Sequence, residues 1–297
     1  MVPSTGTPEG PGRMADMGKK KPPPPLPAPL PGLVDAHTHL DGCRATTPEA
    51  VRELVDRAAS VGVQRVVTVA CDLDQARYVV EASRWDDRVF AAVALHPTDA
   101  HQLEVDGARE ELERLASDPR CVAIGETGLD WYWLGKRDGV ATPEQQHASF
   151  GWHIDLAKRL GKPLMIHNRE ADADIIADLD RFGAPETVIF HCFSGDAAMA
   201  RECVDRGYVL SFSGTVTFSN AVQLQEAARL VPDDQLLVET DAPYLTPHPH
   251  RGAPNESYCV PYTANYLADL RGIAPERLAE MTTATADRVF GEAFAKS

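Results

Sequence analysis

What this chain lacks narrows its class before any motif is read. Its six cysteines, at positions 43, 71, 121, 192, 203 and 259, are scattered without a CxxC pair or tight spacing, so there is no disulfide framework to read. No apolar run follows the charges near the N-terminus, and no stretch is long enough to cross a bilayer. The expectation is a cytoplasmic protein with reduced thiols, no signal peptide and no membrane partner. Positive charge is also scarce, with 29 Lys and Arg against 44 Asp and Glu, a net charge of −15. Proteins that grip long duplexes carry basic stripes, and this balance argues against that mode. It leaves room for transient processing of strand ends, because bound cations supply positive charge locally.

What is present suits one large domain: 297 residues, 43% of them hydrophobic. The obvious seam precedes it. Residues 1–31 are rich in Pro, Gly and Ser and hold Lys19-Lys20-Lys21 before prolines 22–25, 27, 29 and 31. This reads as a disordered, polyproline-like tail, either a leader without a partner or a ligand for a proline-recognition domain. Residues 32–297 form the folded domain.

In that domain, short apolar runs alternate with amphipathic segments. The runs are Leu33-Val34, Val66 to Ala70, Phe90 to Leu95, Val122 to Ile124, Leu164 to Ile166, Val188 to Phe190, Tyr208 to Leu210 and Leu236 to Val238. Helices are predicted over 48–60, 74–84, 107–117, 143–160, 171–182, 196–206 and 219–230. Thr47-Pro48 and Thr142-Pro143 place a capping side chain before a proline at the first helical position. Eight strands alternating with helices fit an α/β fold, either a (β/α)₈ TIM barrel or a doubly wound open sheet. The reactive residues decide between them. Asp35, His37 and His39 follow strand one, His96 strand three and Glu126 strand four; His167 ends strand five, His191 strand six, and Glu239 and Asp241 strand eight. A closed barrel gathers those ends into one ring, whereas an open sheet strings them along an edge.

These residue types read as a metal centre. His37 and His39, at i and i+2 on a strand, share a face and can grip one ion. His167 and His191 add two neutral nitrogens, and Glu126 and Asp241 add carboxylates. Two ions roughly 3.5–4 Å apart serve in-line displacement at phosphorus. Any one of these histidines alone is more simply a core or surface residue; six ligand types at strand ends are not.

At these positions the chain resembles the TatD family of metal-dependent deoxyribonucleases, from about Leu33 to Phe290. The motifs are VDAHTHL (34–40), LHP (95–97), IGETGLD (124–130), IHNR (166–169), HCFSG (191–195), ETDAPYL (239–245), Arg251-Gly252 and Asn255-Glu256. HxH is weak alone, whereas GETGLD, HCFSG and ETDAPYL in this order are specific together. The resemblance implies two divalent ions (Mg²⁺, Mn²⁺ or Zn²⁺). His37, His39, Glu126 and Asp241 would hold one, and Glu126, His167 and His191 the other. It implies Asp241 as proton acceptor and 3′-to-5′ trimming of single-stranded DNA, with His96 either touching the scissile phosphate or leaving group or packed structurally before Pro97. Arg169 and Arg251 are candidates to neutralise phosphate, or to form salt bridges with acidic loops instead. Trp131, Tyr132 and Trp133 are candidates to stack bases, or to form an apolar lid. Ala94, Ser257 and Thr285 depart from the family's usual residues, and none is a ligand. Two alternatives stand beside this reading. A sister barrel acting on cyclic amides, lactones or phosphotriesters often carries a carbamylated lysine where this chain has Glu126. A non-catalytic scaffold would have no need of an intact ligand set.

Overall fold

The computed structural model describes residues 21–296. Eight parallel strands lie in sequence order: β1 (Leu33–Thr38), β2 (Val63–Val69), β3 (Val89–Ala92), β4 (Cys121–Asp130), β5 (Leu164–Arg169), β6 (Val188–Phe190), β7 (Val209–Phe212) and β8 (Leu236–Val238). The ring closes just beyond β8, where Ala242 bridges Thr38 in parallel and the Asp241 N–H donates to the His37 carbonyl at 2.9 Å. This is the TIM barrel, and the open sheet is excluded.

Helices α1 (Pro48–Ala59), α2 (Leu73–Ala82), α3 (Ala108–Ala116), α4 (Pro143–Leu160), α5 (Asp172–Phe182), α6 (Ala197–Asp205) and α7 (Val222–Leu230) follow the first seven strands. Both threonine caps form. Thr47 accepts from the Ala50 N–H, and Thr142 with Gln145 makes a reciprocal capping box. After β8 come α8 (Val260–Arg271), α9 (Pro275–Phe290) and the short α10 (Glu292–Ala295). None of these helices is long and apolar enough to cross a membrane, and all six cysteines are free.

Alternate strand residues face two apolar layers, one between sheet and helices and one on the barrel axis. The axial layer includes Val34, Val67, Phe90, Met165, Ile189 and Leu237, and Phe290 and Phe294 from the last two helices pack into it. The N-terminal half of the barrel is therefore filled. Polar groups can gather only at the other end.

The proline-rich tail departs from its expectation. Residues 1–20 lie outside the described residues. Residues 21–31 have neither helix nor strand, as their prolines require, but they lie against the barrel rather than free of it. Leu30 is buried and its N–H donates to the Val61 carbonyl at 2.9 Å. Tyr258 and Tyr262 donate to the carbonyls of Pro24 and Pro25. Packed chain thus begins by Pro24, eight residues before the expected start at residue 32, because leucine burial and tyrosine hydroxyls supply contacts that composition does not reveal.

Candidate metal centre

The six expected ligands meet at the C-terminal mouth of the barrel. His37 and His39 leave β1 on one face, with their Nε2 atoms 3.3 Å apart. Both face Glu126 Oε1, at 3.8 and 3.6 Å, and Asp241 Oδ1, at 3.7 and 3.5 Å. Ligands bonded to one ion at 2.0–2.1 Å in a tetrahedron stand about 3.4 Å apart. The two imidazoles stand at about that spacing from each other and from each carboxylate, and His37, His39 and Asp241 form one group that could hold an ion, so the residues fit a cation.

A second group uses the other Glu126 oxygen. Oε2 lies 2.8 Å from His191 Nε2 and 3.3 Å from His167 Nδ1. The two groups therefore share one carboxylate, and the stacked His37 and His191 rings, 3.9 Å between centroids, join them further. Glu126 reaches this position because β4 runs unusually close to β5. At Gly128, which has φ +144°, a Cβ would stand 2.0 Å from the His167 carbonyl oxygen. Only glycine permits that approach, which is the physical content of the GETG run.

Three imidazoles are oriented from behind by an oxygen. His39 Nδ1 donates to the Val69 carbonyl at 3.0 Å, His167 Nε2 to Asp130 Oδ2 at 3.0 Å, and His191 Nδ1 to Glu239 Oε1 at 3.4 Å. His37 Nδ1 has only the Met165 sulfur, at 3.2 Å. Such outer partners fix ring orientation and raise ligand basicity. Asp130 and Glu239 lie within the quoted motifs, but sequence reasoning gave neither a role. Their signal was a second carboxylate near a ligand, and spacing alone does not say which histidine it meets. Asp35 has another task. Fully buried, it accepts from the Thr240 N–H and hydroxyl at 2.8 and 2.6 Å and holds the turn that presents Asp241.

The carboxylates of this cluster favour positive charge on the imidazoles around them. His39 is raised to about 9; burial opposes the charge, but Asp241 and Glu126 outweigh it. For His167 burial likewise opposes, and Asp130 and Glu126 prevail; for His191, Glu126 and Glu239 prevail. Burial would raise Glu126, yet His191 and His167 hold it well below the carboxylate range. His37 is driven well down, by burial first and His191 second. The carboxylates demand positive charge at the centre, and a divalent ion meets that demand while leaving the imidazoles neutral.

All of these candidate ligands except His37 line a cavity of about 740 Å³. His96 lines it, its ring 4.3 Å from that of His167. His96 Nδ1 is held by Thr98, 2.7 Å from its hydroxyl and 3.1 Å from its backbone nitrogen, and burial, then His167, push its pKa down to about 3. Arg169 and Trp133 line the cavity too, whereas Tyr132 is sandwiched between Arg169 and Lys136 at 3.7 and 3.6 Å. Trp131 instead packs on the core and donates to Asp174, so its place is structural. Arg251 is not brought to the cavity lining; it is exposed, with its guanidinium 4.3 Å from the Phe218 ring.

Comparison with known proteins agrees with this architecture. The model of the TatD-related DNase family matches residues 34–291. An uncharacterized metal-dependent hydrolase TatD of Mycobacterium tuberculosis is 62% identical, over 87% of this chain and 98% of its own. The metal-dependent hydrolase YcfH of Escherichia coli K12 is 40% identical over 87% and 95%. A more distant relative from Citrobacter rodentium, 31% identical over 84% and 96%, is named a 3′-5′ ssDNA/RNA exonuclease TatD. Among solved structures, the TatD homologue YJJV of E. coli superposes with a TM-score of 0.76 at 28% identity, covering 88% of this chain and 98% of that one. With ligand geometry, barrel and sequence in agreement, the chain belongs to the TatD-related DNase family of metal-dependent hydrolases.

Proposed function

We propose that this chain hydrolyses phosphodiester bonds of single-stranded DNA, working on strand ends in the 3′-to-5′ direction with two divalent ions. The observation that carries the reading is the shared carboxylate, with Glu126 Oε1 facing His37 and His39 and Oε2 facing His167 and His191. Ions held there would lower the pKa of an attacking water and neutralise charge on the phosphoryl oxygens. Glu126 supplies negative charge to both groups from a nearly closed position, its side chain 4% exposed. Asp241, at 14%, stands on the solvent side, where its carboxylate receives the proton of the entering water. His96 faces the phosphoryl group from the cavity wall, and Arg169 gives a fixed positive charge there. The four imidazoles suit zinc or manganese better than magnesium.

The surface charge supports the same substrate class. Arg44, Lys136 and Arg137 stand on loops after β1 and β4, Arg169 ends β5, and none forms an ion pair among the described residues. Elsewhere some cations are paired, as in Arg77 with Glu111 and Arg206 with Asp180, while others on the outer helices, such as Arg52, Arg109 and Arg201, are not paired among the described residues. Four unpaired cations around the mouth of an acidic protein favour a polyanion there. End-labelled single-stranded oligonucleotides, a bis-nitrophenyl phosphodiester and dihydroorotate test the reading. Metal-dependent shortening from the 3′ end is expected; hydrolysis of dihydroorotate alone would overturn it.

A further inference from the structure

The Lys21–Pro31 segment contains seven prolines in eleven residues and is fixed to the barrel at both ends. At its C-terminal end, Leu30 is buried and the backbone passes over Gly62, which has φ +96°. A Cβ at Gly62 would stand 2.2 Å from the Leu30 carbonyl oxygen, so this crossing requires glycine. At the other end, Tyr258 and Tyr262 donate to the consecutive carbonyls of Pro24 and Pro25, at 2.7 and 2.9 Å. Proline lacks an N–H, so carbonyls are its backbone handles, and its fixed φ leaves little entropy to lose on docking. The family match begins at residue 34. The strap therefore lies outside the shared domain.

The strap places charge. Lys21 Nζ donates to the Arg251 carbonyl at 2.6 Å. Lys21 and Arg251 are both exposed, and neither has an ion-pair partner among the described residues. The loop carrying Arg251 is tied to the cavity rim, since the His248 N–H donates to Thr217 at 2.8 Å while Thr215 and Leu245 line the cavity. The contact brings the Lys21 ammonium to the backbone of Arg251, so two unpaired cations share one stretch of surface, which favours an anion there.

We propose that the proline strap builds a second phosphate-binding position, Lys21 with Arg251, for the part of a single polynucleotide strand that lies outside the metal cavity. This rests on the proposed function and extends it to strand binding. The test uses the full chain, metal-loaded and carrying Asp241→Asn so that a labelled oligothymidylate is held, with affinity measured against salt. Each lost phosphate contact lowers the slope of log affinity against log salt by about 0.7. Lys21→Gln and Arg251→Gln are each expected to show that loss. Tyr258→Phe with Tyr262→Phe, which frees the strap and keeps every charge, should match Lys21→Gln, and adding Lys21→Gln to it should change nothing further. Arg201→Gln, an exposed cation on α6, should leave the slope intact. Parent-like slopes in Lys21→Gln, or an equal loss in Arg201→Gln, would overturn the strap while leaving the nuclease reading in place. A parent that binds no single strand would overturn both.

Discussion

Asp130 offers a measurable way to test whether the second group of ligands is organised from behind. It is fully buried, and one oxygen accepts from His167 Nε2 at 3.0 Å while the other accepts the Trp133 N–H at 3.0 Å. Burial would raise its pKa, yet the paired His167 holds it below the usual value, so a negative charge stands behind the ring. Asp130→Asn keeps the shape and removes that charge, leaving one oxygen to serve two donors. Loss of such a partner typically costs 10–100-fold in metal affinity or activity, roughly 1.4–2.7 kcal/mol. Competition with a chromogenic chelator reads this directly. Two binding steps are expected, with the weakening confined to one of them, because His37, His39 and Asp241 make no contact with Asp130. Thermal melting in EDTA should show the variant still folded. Two steps of unchanged affinity in a folded variant would refute the argument, and equal weakening of both would place Asp130 in general packing.

Four further outcomes follow. Glu126→Ala should lower metal stoichiometry as well as rate, whereas Asp241→Asn should retain most metal and lose about 10²–10⁴-fold in single-turnover rate; metal analysis showing the reverse would exchange their roles. Arg169→Gln should raise KM more than it lowers kcat on an oligonucleotide, because its charge is at the wall rather than on the ligands. Leu30→Ala should cost about 2 kcal/mol in chemical denaturation, since Leu30 is only 4% exposed; no loss would mean that the strap is not docked in solution. His153 is buried, with its pKa pushed from 6.5 down to about 4. The unfolded chain then binds the extra proton, so this stability is complete above pH 6.5 and is lost as pH falls toward 4, by on the order of 3 kcal/mol. Denaturation of the metal-free chain between pH 7 and 4 should show a shallower loss in His153→Gln than in the parent.

Much of this protein was legible in its residues because the signals are local. The period of apolar residues locates a strand or a helix wherever the chain later goes, and Thr47-Pro48 and Thr142-Pro143 cap their helices from within one turn. The gathering of the candidate ligands was legible because barrel connectivity sends every strand end to the same mouth, so residue type at the end of a strand points to it. Three things were not. Which carboxylate stands behind which histidine depends on β4 lying against β5, and so on the contact at Gly128. Arg251 follows β8 closely in sequence yet stacks on Phe218 outside the cavity, because the loop's path is fixed by its ties to Thr217 and Lys21. The strap reads as free chain because proline offers no periodicity and no N–H. Its docking comes from Tyr258, Tyr262 and Gly62, residues that only closure of the barrel brings alongside it.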